Sequence, residues 1–481
     1  MTASLMDLDA ARLAARVRAG EVSPVDSVQA SLDRIAALNP ALNAFVHVCA
    51  DRALEEARVQ ESKIAGGEDA GPLAGVPFGV KDLEDVAGLP TTFGSVPFRG
   101  NVANIDSVQV ARLRAAGAIC VGKTNTPEFG YTAFTRNRLF GASRNPWNLE
   151  RTPGGSSGGS AAAIAARLVP LATASDGGGS IRIPACYVGA FGMKPTFGRI
   201  PLGPDPLGMA RWVDTVCYGP LTRTVEDAAL FLDVTSGYHP CDPASLPKAP
   251  HSYREALAAE PRRLRIAFSR DLGYGLVHPD VLAEVERAAG VLRDLGHHVE
   301  DVNLILPDTG QAWAYMCGAE NYAEIAQLVS GQEAQLGRAF WSGLSAAATL
   351  TVTQHGEFQR ERYRLNSALE DLFSRYDVLL TPTMPTEAFD AAGPPPERIG
   401  DRELPSPLHM VAFTFPFNLS GHPAATVRAG VMKTGLPAGL QIVAERHRDD
   451  LVLQVARAYE QARPWDTWPE VIEAAGPKQR A

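Results

Sequence analysis

The stretch that decides the fold of this chain covers residues 153–184 and reads PGGSSGGSAAAIAARLVPLATASDGGGSIRIP. It places two glycine-serine clusters on either side of an alanine-rich segment, and it contains no histidine that would activate a serine. Successive glycines let backbone N–H groups converge without side chains in the way, as an oxyanion hole beside a nucleophilic serine requires. The pattern therefore indicates a serine-based active site whose base lies elsewhere in the chain.

Two other interpretations start from the same glycines. A glycine-rich loop that opens a helix over residues 160–168 is typical of phosphate binding, but the lysine that ends a P-loop is missing. Residues 155–159 also fit the G-x-S-x-G elbow of α/β-hydrolases, which needs a hydrophobic strand directly before it. The preceding RNPWNLERTP is polar and contains two prolines, which argues against the elbow.

A nucleophilic serine needs a base, and the ten histidines of the chain are scattered. Lysine is the other option, because burial lowers the pKa of its ammonium group until the neutral amine accepts a proton. Lys81 in GVPFGVKD follows an apolar run punctuated by glycines and is the best candidate. The alternative is a lysine whose stem packs on apolar surface while its ammonium stays in water.

The composition excludes several functions. With 481 residues, 45% hydrophobic and 21% charged, the chain can bury a large core. A net charge of −9 and scattered basic residues argue against a nucleic-acid partner. No H-E-x-x-H or other tight ligand cluster occurs, so we expect neither metal nor cofactor. The cysteines form no C-x-x-C pair, which indicates reduced thiols: Cys49, Cys120, Cys186, Cys217, Cys241 and Cys317.

The amino-terminal segment carries acids and arginines where a signal peptide needs an apolar core. The longest apolar run, residues 161–174, is interrupted by Arg167 and Pro170 and is too short to span a bilayer. We therefore expect a cytoplasmic protein without a membrane partner, present as a monomer or a homodimer.

Alternating strand and helix patterns predict an α/β fold with a largely buried sheet. Strands are expected at residues 43–48, within 72–82, and at 118–122, 265–269, 378–381 and 439–443. Helices are expected as a pair within residues 5–38 and at 104–116, 224–236, 279–295 and 449–462. We predict a single domain over residues 1–481, with the loop-rich segments 238–262 and 384–407 as surface excursions.

Three segments together resemble one family of enzymes. They are GVPFGVKD (residues 75–82), PGGSSGGSAAAIAA (153–166) and SDGGGSIRIPACYVGAFGMKPTFGRIP (175–201). With GKTNTPEFG (122–130) and further segments in the same order, they look like the amidase signature family of serine hydrolases. The resemblance covers most of the chain, with its signature core at about residues 70–220. It implies a large mixed twisted β-sheet covered by helices on both faces.

By this resemblance, Ser180 is the nucleophile, Ser156 is a bridging serine on a cis peptide, and Lys81 is the base. Ser156 lies 24 residues before Ser180 (180 − 156), a separation that matches the family pattern and selects Ser156 over Ser157. The implied relay passes the hydroxyl proton of Ser180 to Ser156 and that of Ser156 to neutral Lys81.

The same resemblance assigns supporting roles within the second cluster. The backbone N–H groups of Gly177, Gly178 and Gly179, together with that of Ser180, are expected to form the oxyanion hole. Ser157, Asp176 and Arg182 are expected to support the loop by hydrogen bonds, with a surface ion pair as the alternative for Arg182.

Several residues bear on the substrate. Where the amidotransferase subunits of the family usually carry glutamine, this chain has Ile183, which favours a stand-alone hydrolase with a hydrophobic acyl pocket. Gly130 and Tyr131 fall where family members line the acyl channel, although Tyr131 also fits an ordinary half-buried aromatic. Cys317 is expected either to line the pocket or to be structural. Residues 200–212 form either a mobile flap or a surface turn.

The resemblance implies hydrolysis of a carbon–nitrogen bond in a small-molecule amide or carbamate. The serine loop is similar to those of 6-aminohexanoate cyclic dimer hydrolases and of urethanases that cleave polyurethane-derived carbamates. The 75 residues between Lys81 and Ser156 (156 − 81) favour the urethanases. A general aryl or acyl amidase is the alternative. A catalytically silent binding protein is a further alternative, against which the complete triad argues.

Overall fold

The computed structural model describes residues 4–204, 214–259, 262–465 and 468–469. Its strands are β1 (Phe45–Val48), β2 (Pro77–Lys81), β3 (Ile119–Thr124), β4 (Arg136–Asn137), β5 (Gly141–Ala142), β6 (Leu171–Asp176), β7 (Phe191–Lys194), β8 (Cys217–Thr222), β9 (Arg265–Phe268), β10 (His298–Asp301), β11 (Val378–Pro382), β12 (Arg398–Ile399), β13 (Arg402–Glu403), β14 (Ala424–Val431) and β15 (Pro437–Ala444).

The α-helices are α1 (Ala10–Arg18), α2 (Pro24–Leu42), α3 (Ala50–Ala65), α4 (Val108–Ala115), α5 (Gly158–Ala165), α6 (Arg182–Val188), α7 (Val225–Thr235), α8 (Tyr253–Ala256), α9 (Pro279–Asp294), α10 (Gly310–Ile325), α11 (Arg338–Ala347), α12 (Val352–Phe373), α13 (Phe415–Leu419) and α14 (Asp449–Ala462). Short 3-10 helices occur at Leu5–Asp7, Val96–Phe98, Glu128–Gly130, Glu333–Gln335 and Pro407–Val411. No helix in the described ranges is long and apolar enough to cross a membrane.

Eleven strands form one mixed sheet in the order β1-β3-β2-β6-β8-β7-β14-β15-β11-β9-β10. Strands β3, β2 and β6 are parallel neighbours at one side, and β11, β9 and β10 are parallel neighbours at the other. The strands between them pair antiparallel, from β6 through β8, β7, β14 and β15 to β11. The predicted α/β class with a large mixed sheet is therefore confirmed.

Helices cover both faces of this sheet, as β15 illustrates. Successive side chains of a strand point to opposite faces. Gly439 faces α6, because a Cβ there would lie 2.8 Å from Cys186 Sγ, and Gln441 accepts a hydrogen bond from Arg182 at 2.7 Å. Leu440 and Ile442 point the opposite way, and α9 and α14 also pack on this strand. All eight residues of β15 are consequently buried.

Most of the predicted elements are present, and the differences have physical causes. The helix expected over residues 160–168 spans Gly158–Ala165 instead, because Arg167 adopts a left-handed backbone with φ of 55°. Strands β6, β7, β8, β10 and β14 and helices α3 and α10–α12 were not predicted. In β6, LATASD, small and polar residues replace the branched apolar residues that identify a buried strand.

The two predicted surface excursions contain little regular structure. Within the described residues, 238–262 holds the four-residue helix α8, and 384–407 holds the β12–β13 hairpin. The assignment of the whole chain to one domain stays a prediction.

The burial of β15 generates a test of the core. Ile442→Ala is expected to lower the free energy of unfolding by about 2–5 kcal/mol, because Ile442 is fully buried and its truncation leaves a cavity. Val431→Ala, at the 38% exposed end of β14, is the control and should change it by less than about 1 kcal/mol. Equal effects in denaturant unfolding would contradict this packing.

Candidate active site

The site lies where two parallel strands end side by side. Lys81 is the last residue of β2, and Ser175 and Asp176 end β6, the neighbouring parallel strand. The carboxyl ends of parallel neighbours meet at one edge of a sheet, where loops present side chains to a ligand. The loop after β6 carries the second glycine cluster and leads into α6, whereas the first cluster opens α5.

The Lys81 amine is completely buried and contacts two serines. Its Nζ atom lies 2.8 Å from Ser156 Oγ and 2.9 Å from Ser175 Oγ, with the Ser175 carbonyl oxygen at 3.4 Å. The Lys81 backbone N–H donates to Thr173 Oγ1 at 3.1 Å, which fixes the end of β2 against β6. A neutral amine has two N–H donors for Ser175 and one lone pair for the Ser156 hydroxyl.

Burial lowers the pKa of Lys81 from its ordinary value to about 7, although the negative charges of Glu84 and Asp176 oppose the shift. A second buried lysine provides the contrast. Lys123 Nζ lies 3.2 Å from Asp82 Oδ1, so a carboxylate compensates its charge. Within the described residues, no carboxylate lies within 4.0 Å of Lys81 Nζ. Lys81 is therefore the lysine suited to act as a neutral base.

Ser156 and Ser180 line the same pocket, which has a volume of about 320 Å³. The peptide bond between Gly155 and Ser156 is cis, as the resemblance implied. Ser156 is 2% exposed, whereas Ser180 is half-buried and accessible from the pocket. Ser157 donates its backbone N–H to the Ser180 carbonyl at 3.2 Å and its hydroxyl to the Ser175 carbonyl at 3.3 Å, so it ties the two clusters together.

Asp176 and Arg182 form a fully buried ion pair that holds the serine loop. Arg182 Nε donates to Asp176 Oδ2 at 3.0 Å and Arg182 Nη2 to Asp176 Oδ1 at 3.0 Å. Burial alone would raise the pKa of the Asp176 carboxyl, but the Arg182 guanidinium outweighs burial and holds that pKa well below its usual range. The alternative of a surface ion pair for Arg182 is wrong, because neither side chain is exposed to solvent.

Two distant residues fix the orientation of the glycine loop. Trp313 Nε1 donates to the Gly177 carbonyl at 2.7 Å, and Thr414 Oγ1 donates to the Gly178 carbonyl at 2.6 Å. In a trans peptide the C=O and the following N–H point in opposite directions, so each anchored carbonyl sets the direction of the next N–H. The loop is thus held rigidly from α10 and from the residue before α13.

The oxyanion donors differ in one position from the expectation. The Gly179 N–H donates to Asp176 Oδ1 at 2.6 Å, so it is engaged by a carboxylate and is not available to an oxyanion. In the described part of the chain, no hydrogen bond engages the N–H groups of Gly177, Gly178 and Ser180. Gly179 instead turns the chain, with φ of 129°.

The three residues predicted to contact substrate all line this pocket: Gly130, Tyr131 and Ile183. Tyr131 is 42% exposed and packs edge-on against Phe340, with ring centroids 5.6 Å apart. The wall is otherwise rich in aromatic side chains, among them Phe93, Phe129, Tyr218 and Trp313. The arrangement suits a substrate with a flat apolar group.

Cys317 also lines the pocket, but its thiol is not activated. Burial raises its pKa to about 12, and its Sγ atom lies 3.4 Å from Thr215 Oγ1. Of the predicted flap, residues 205–212 lie outside the described residues. Among the described residues, no group of three His, Cys, Asp or Glu side chains could hold a metal ion.

Sequence reasoning missed Ser175, Trp313, Thr414 and Asn418. Asn418 Nδ2 donates to the Asp176 main-chain carbonyl at 2.7 Å and lies 2.9 Å from its carboxylate. Ser175 carried a usable signal, because Thr173 and Ser175 alternate as polar residues in a buried strand and so share one face. The other three come from segments more than 130 residues away and had no local signal.

Comparison with known proteins identifies the class. The chain matches the Amidase family over residues 26–453. It is 38% identical over 460 residues to an acylamidase of Rhodococcus erythropolis, covering 95% of this chain and 96% of that protein. The chain therefore belongs to the Amidase family.

Solved structures agree. The fold is similar to that of a bacterial aryl acylamidase of the amidase signature enzymes, with a TM-score of 0.91, 33% identity and coverage of 98% of this chain and 99% of that one. It is also similar to a 6-aminohexanoate cyclic dimer hydrolase in complex with substrate, with a TM-score of 0.86, 33% identity and coverage of 98% and 100%. The resemblance is confirmed, and the protein is an amidase signature hydrolase of amides.

The packing around Gly178 generates a prediction. A Cβ atom on this residue would lie 2.1 Å from the Trp313 ring, so Gly178→Ala must displace either the loop or the indole. We expect kcat/KM for an anilide substrate to fall about 10²-fold or more. Gly290→Ala is the matched control, because no atom lies within 4 Å of its Cβ position, and it should retain activity. Near wild-type activity of Gly178→Ala would refute the proposed role of the loop geometry.

Proposed function

We propose that this protein hydrolyses aryl amides and aryl carbamates through a relay of Ser180, Ser156 and Lys81. The observation that carries the proposal is the 2.8 Å contact between the buried Lys81 amine and Ser156 Oγ, in a pocket that Ser180 also lines. A lysine with a pKa near 7 is substantially neutral at physiological pH, which a general base requires.

The first half of the reaction forms an acyl-enzyme. Ser180 Oγ attacks the carbonyl carbon while its proton passes to Ser156 Oγ and the Ser156 proton passes to Lys81 Nζ. The N–H groups of Gly178 and Ser180, with that of Gly177, stabilise the negative oxygen of the tetrahedral intermediate. The proton then returns along the relay to the leaving nitrogen, the C–N bond breaks and the amine departs.

The second half repeats the relay with water. Water attacks the ester carbonyl of the acyl-enzyme, its proton is taken through Ser156 to Lys81, and Ser180 recovers a proton as the carboxylic acid leaves. The charge on Lys81 changes only transiently, so the site needs no permanent counter-ion within contact distance. The Asp176 carboxylate is held by Arg182 and acts on the loop rather than on the proton.

The pocket wall supports an aromatic substrate. Phe129 stacks on both Phe93 and Phe340, with centroids 5.7 Å and 4.7 Å apart, and forms a firm apolar wall. Trp313 stacks on Phe415 at 5.4 Å while its indole N–H holds the loop, so the same side chain links the wall to the oxyanion donors. The similarity to an acylamidase and an aryl acylamidase supports the same substrate class.

The carbamate half of the proposal rests on shared chemistry. A carbamate presents the same carbonyl and leaving nitrogen, so the relay acts unchanged and leaves an alkoxycarbonyl group on Ser180. Water releases a carbonic half-ester, which loses carbon dioxide to give the alcohol. The serine loop and the spacing between Lys81 and Ser156 favour this activity.

The pKa of Lys81 predicts the pH profile. The neutral amine is the active form, so kcat/KM should rise about tenfold per pH unit below pH 7 and level off above it. Initial rates on an anilide between pH 5 and pH 9 provide the measurement. A rate that falls as the pH rises through 7, or one that does not change, would rule out Lys81 as a neutral base.

A matched substrate pair tests the reaction itself. 4-Nitroacetanilide and methyl N-(4-nitrophenyl)carbamate release the same 4-nitroaniline, so one absorbance assay compares them directly. We expect hydrolysis of both, and a loss of about 10⁴-fold or more on both for Ser180→Ala. Ser62→Ala, on the exposed side of α3, is the control and should behave as wild type.

The outcomes separate the parts of the proposal. Full activity of Ser180→Ala on both substrates would disprove the relay. Hydrolysis of the anilide alone would disprove the carbamate half and leave an aryl acylamidase.

A further inference from the structure

A second groove adjoins the active-site pocket. It has a volume of about 620 Å³, and Tyr131 and Thr132 line both it and the pocket. The Tyr131 ring stands against α11, where a Cβ on Gly343 would lie 1.8 Å from the Tyr131 hydroxyl. The absence of a side chain at Gly343 thus makes room for the tyrosine between the two spaces.

Three arginines line this groove: Arg136, Arg138 and Arg338. Arg136 Nη1 donates to the Ala392 carbonyl at 2.8 Å, and Arg138 Nη1 donates to the Ala334 carbonyl at 2.9 Å. Neither contact neutralises a charge, and none of the three guanidinium groups forms an ion pair in the described part of the chain. Exposed arginines elsewhere, such as Arg270 and Arg293, do form such pairs.

The carboxylate in this groove is already engaged. Glu128 is buried and accepts from Ser95 Oγ at 2.6 Å and from the Gly337 N–H at 2.6 Å, directly before α11. The amino-terminal end of α11 therefore has its anion from the protein. Against that single carboxylate, the three arginines leave an excess of two positive charges (3 − 1) in a chain whose net charge is −9.

We propose that this arginine groove binds a carboxylate of the substrate remote from the bond that is cleaved. The inference rests on the proposed function and narrows its substrate class to amides and carbamates with an anionic end. The scissile carbonyl lies at Ser180, the chain passes Tyr131, and the carboxylate reaches the guanidinium groups. Two of these groups are pre-oriented by backbone carbonyls, which reduces the entropy lost on binding.

Binding to a chemically inactive variant tests this inference without depending on turnover. In Ser180→Ala, calorimetry measures the Kd of adipic and sebacic acid monoanilides and of the corresponding terminal primary amides. The two chain lengths sample different reaches, and each acid differs from its amide only in the charged end. The same titrations on Arg338→Gln and on a triple variant with Arg136→Gln and Arg138→Gln isolate the groove.

We expect the acid to bind more tightly than its amide for at least one chain length. Each arginine removed should weaken acid binding by roughly fivefold, the upper range for an exposed charge pair, and leave amide binding unchanged. Arg338→Lys should retain part of the preference, and added salt should reduce it. Arg58→Gln, on the exposed face of α3, is the control for a change of net charge.

Equal Kd values for acid and amide at both lengths, or no binding of either, would overturn the arginine groove. So would equal weakening of both ligands in the triple variant. The proposed function fails separately, if the wild type hydrolyses neither an anilide nor a carbamate while the charge preference in binding remains.

Discussion

The site depends on one constraint, which is the complete removal of the Lys81 amine from water at the end of β2. An ammonium group in that position has no carboxylate in contact among the described residues, so its charged form is disfavoured and its pKa falls to about 7. The serines on either side provide the hydrogen bonds that a neutral amine can use. The fold therefore converts an ordinarily inert lysine into a base by position alone.

The rest of the site keeps the second partner of this relay in place. The loop that bears Ser180 is held by the buried Asp176–Arg182 pair, and Arg182 in turn donates to the Thr414 carbonyl and to Gln441 on β15. Breaking such a buried pair typically costs about 3–5 kcal/mol, because one charge is left without compensation. The geometry of a few loop residues thus depends on segments from distant parts of the chain.

Local sequence predicted the elements and the reactive residues, but not the residues that position them. The alternating patterns located β3, β9, β11 and β15 and their helices, and the glycine-serine clusters identified the relay. Trp313 and Thr414 were invisible because their roles arise only when the sheet brings α10 and α13 to the loop after β6. Gly179 was assigned to the oxyanion hole because sequence cannot indicate that Asp176 turns back to accept its N–H.

The most direct test of the central claim is an NMR titration of the lysine side chains. The chain has only seven lysines, so ¹³C-labelled side chains give few signals, and the Lys81→Met variant assigns the one of interest. Lys194 is also buried and also has a lowered pKa, which makes that assignment essential. The account predicts a Lys81 signal that titrates near pH 7. A Lys81 amine that stays protonated up to about pH 10, as in water, would contradict it.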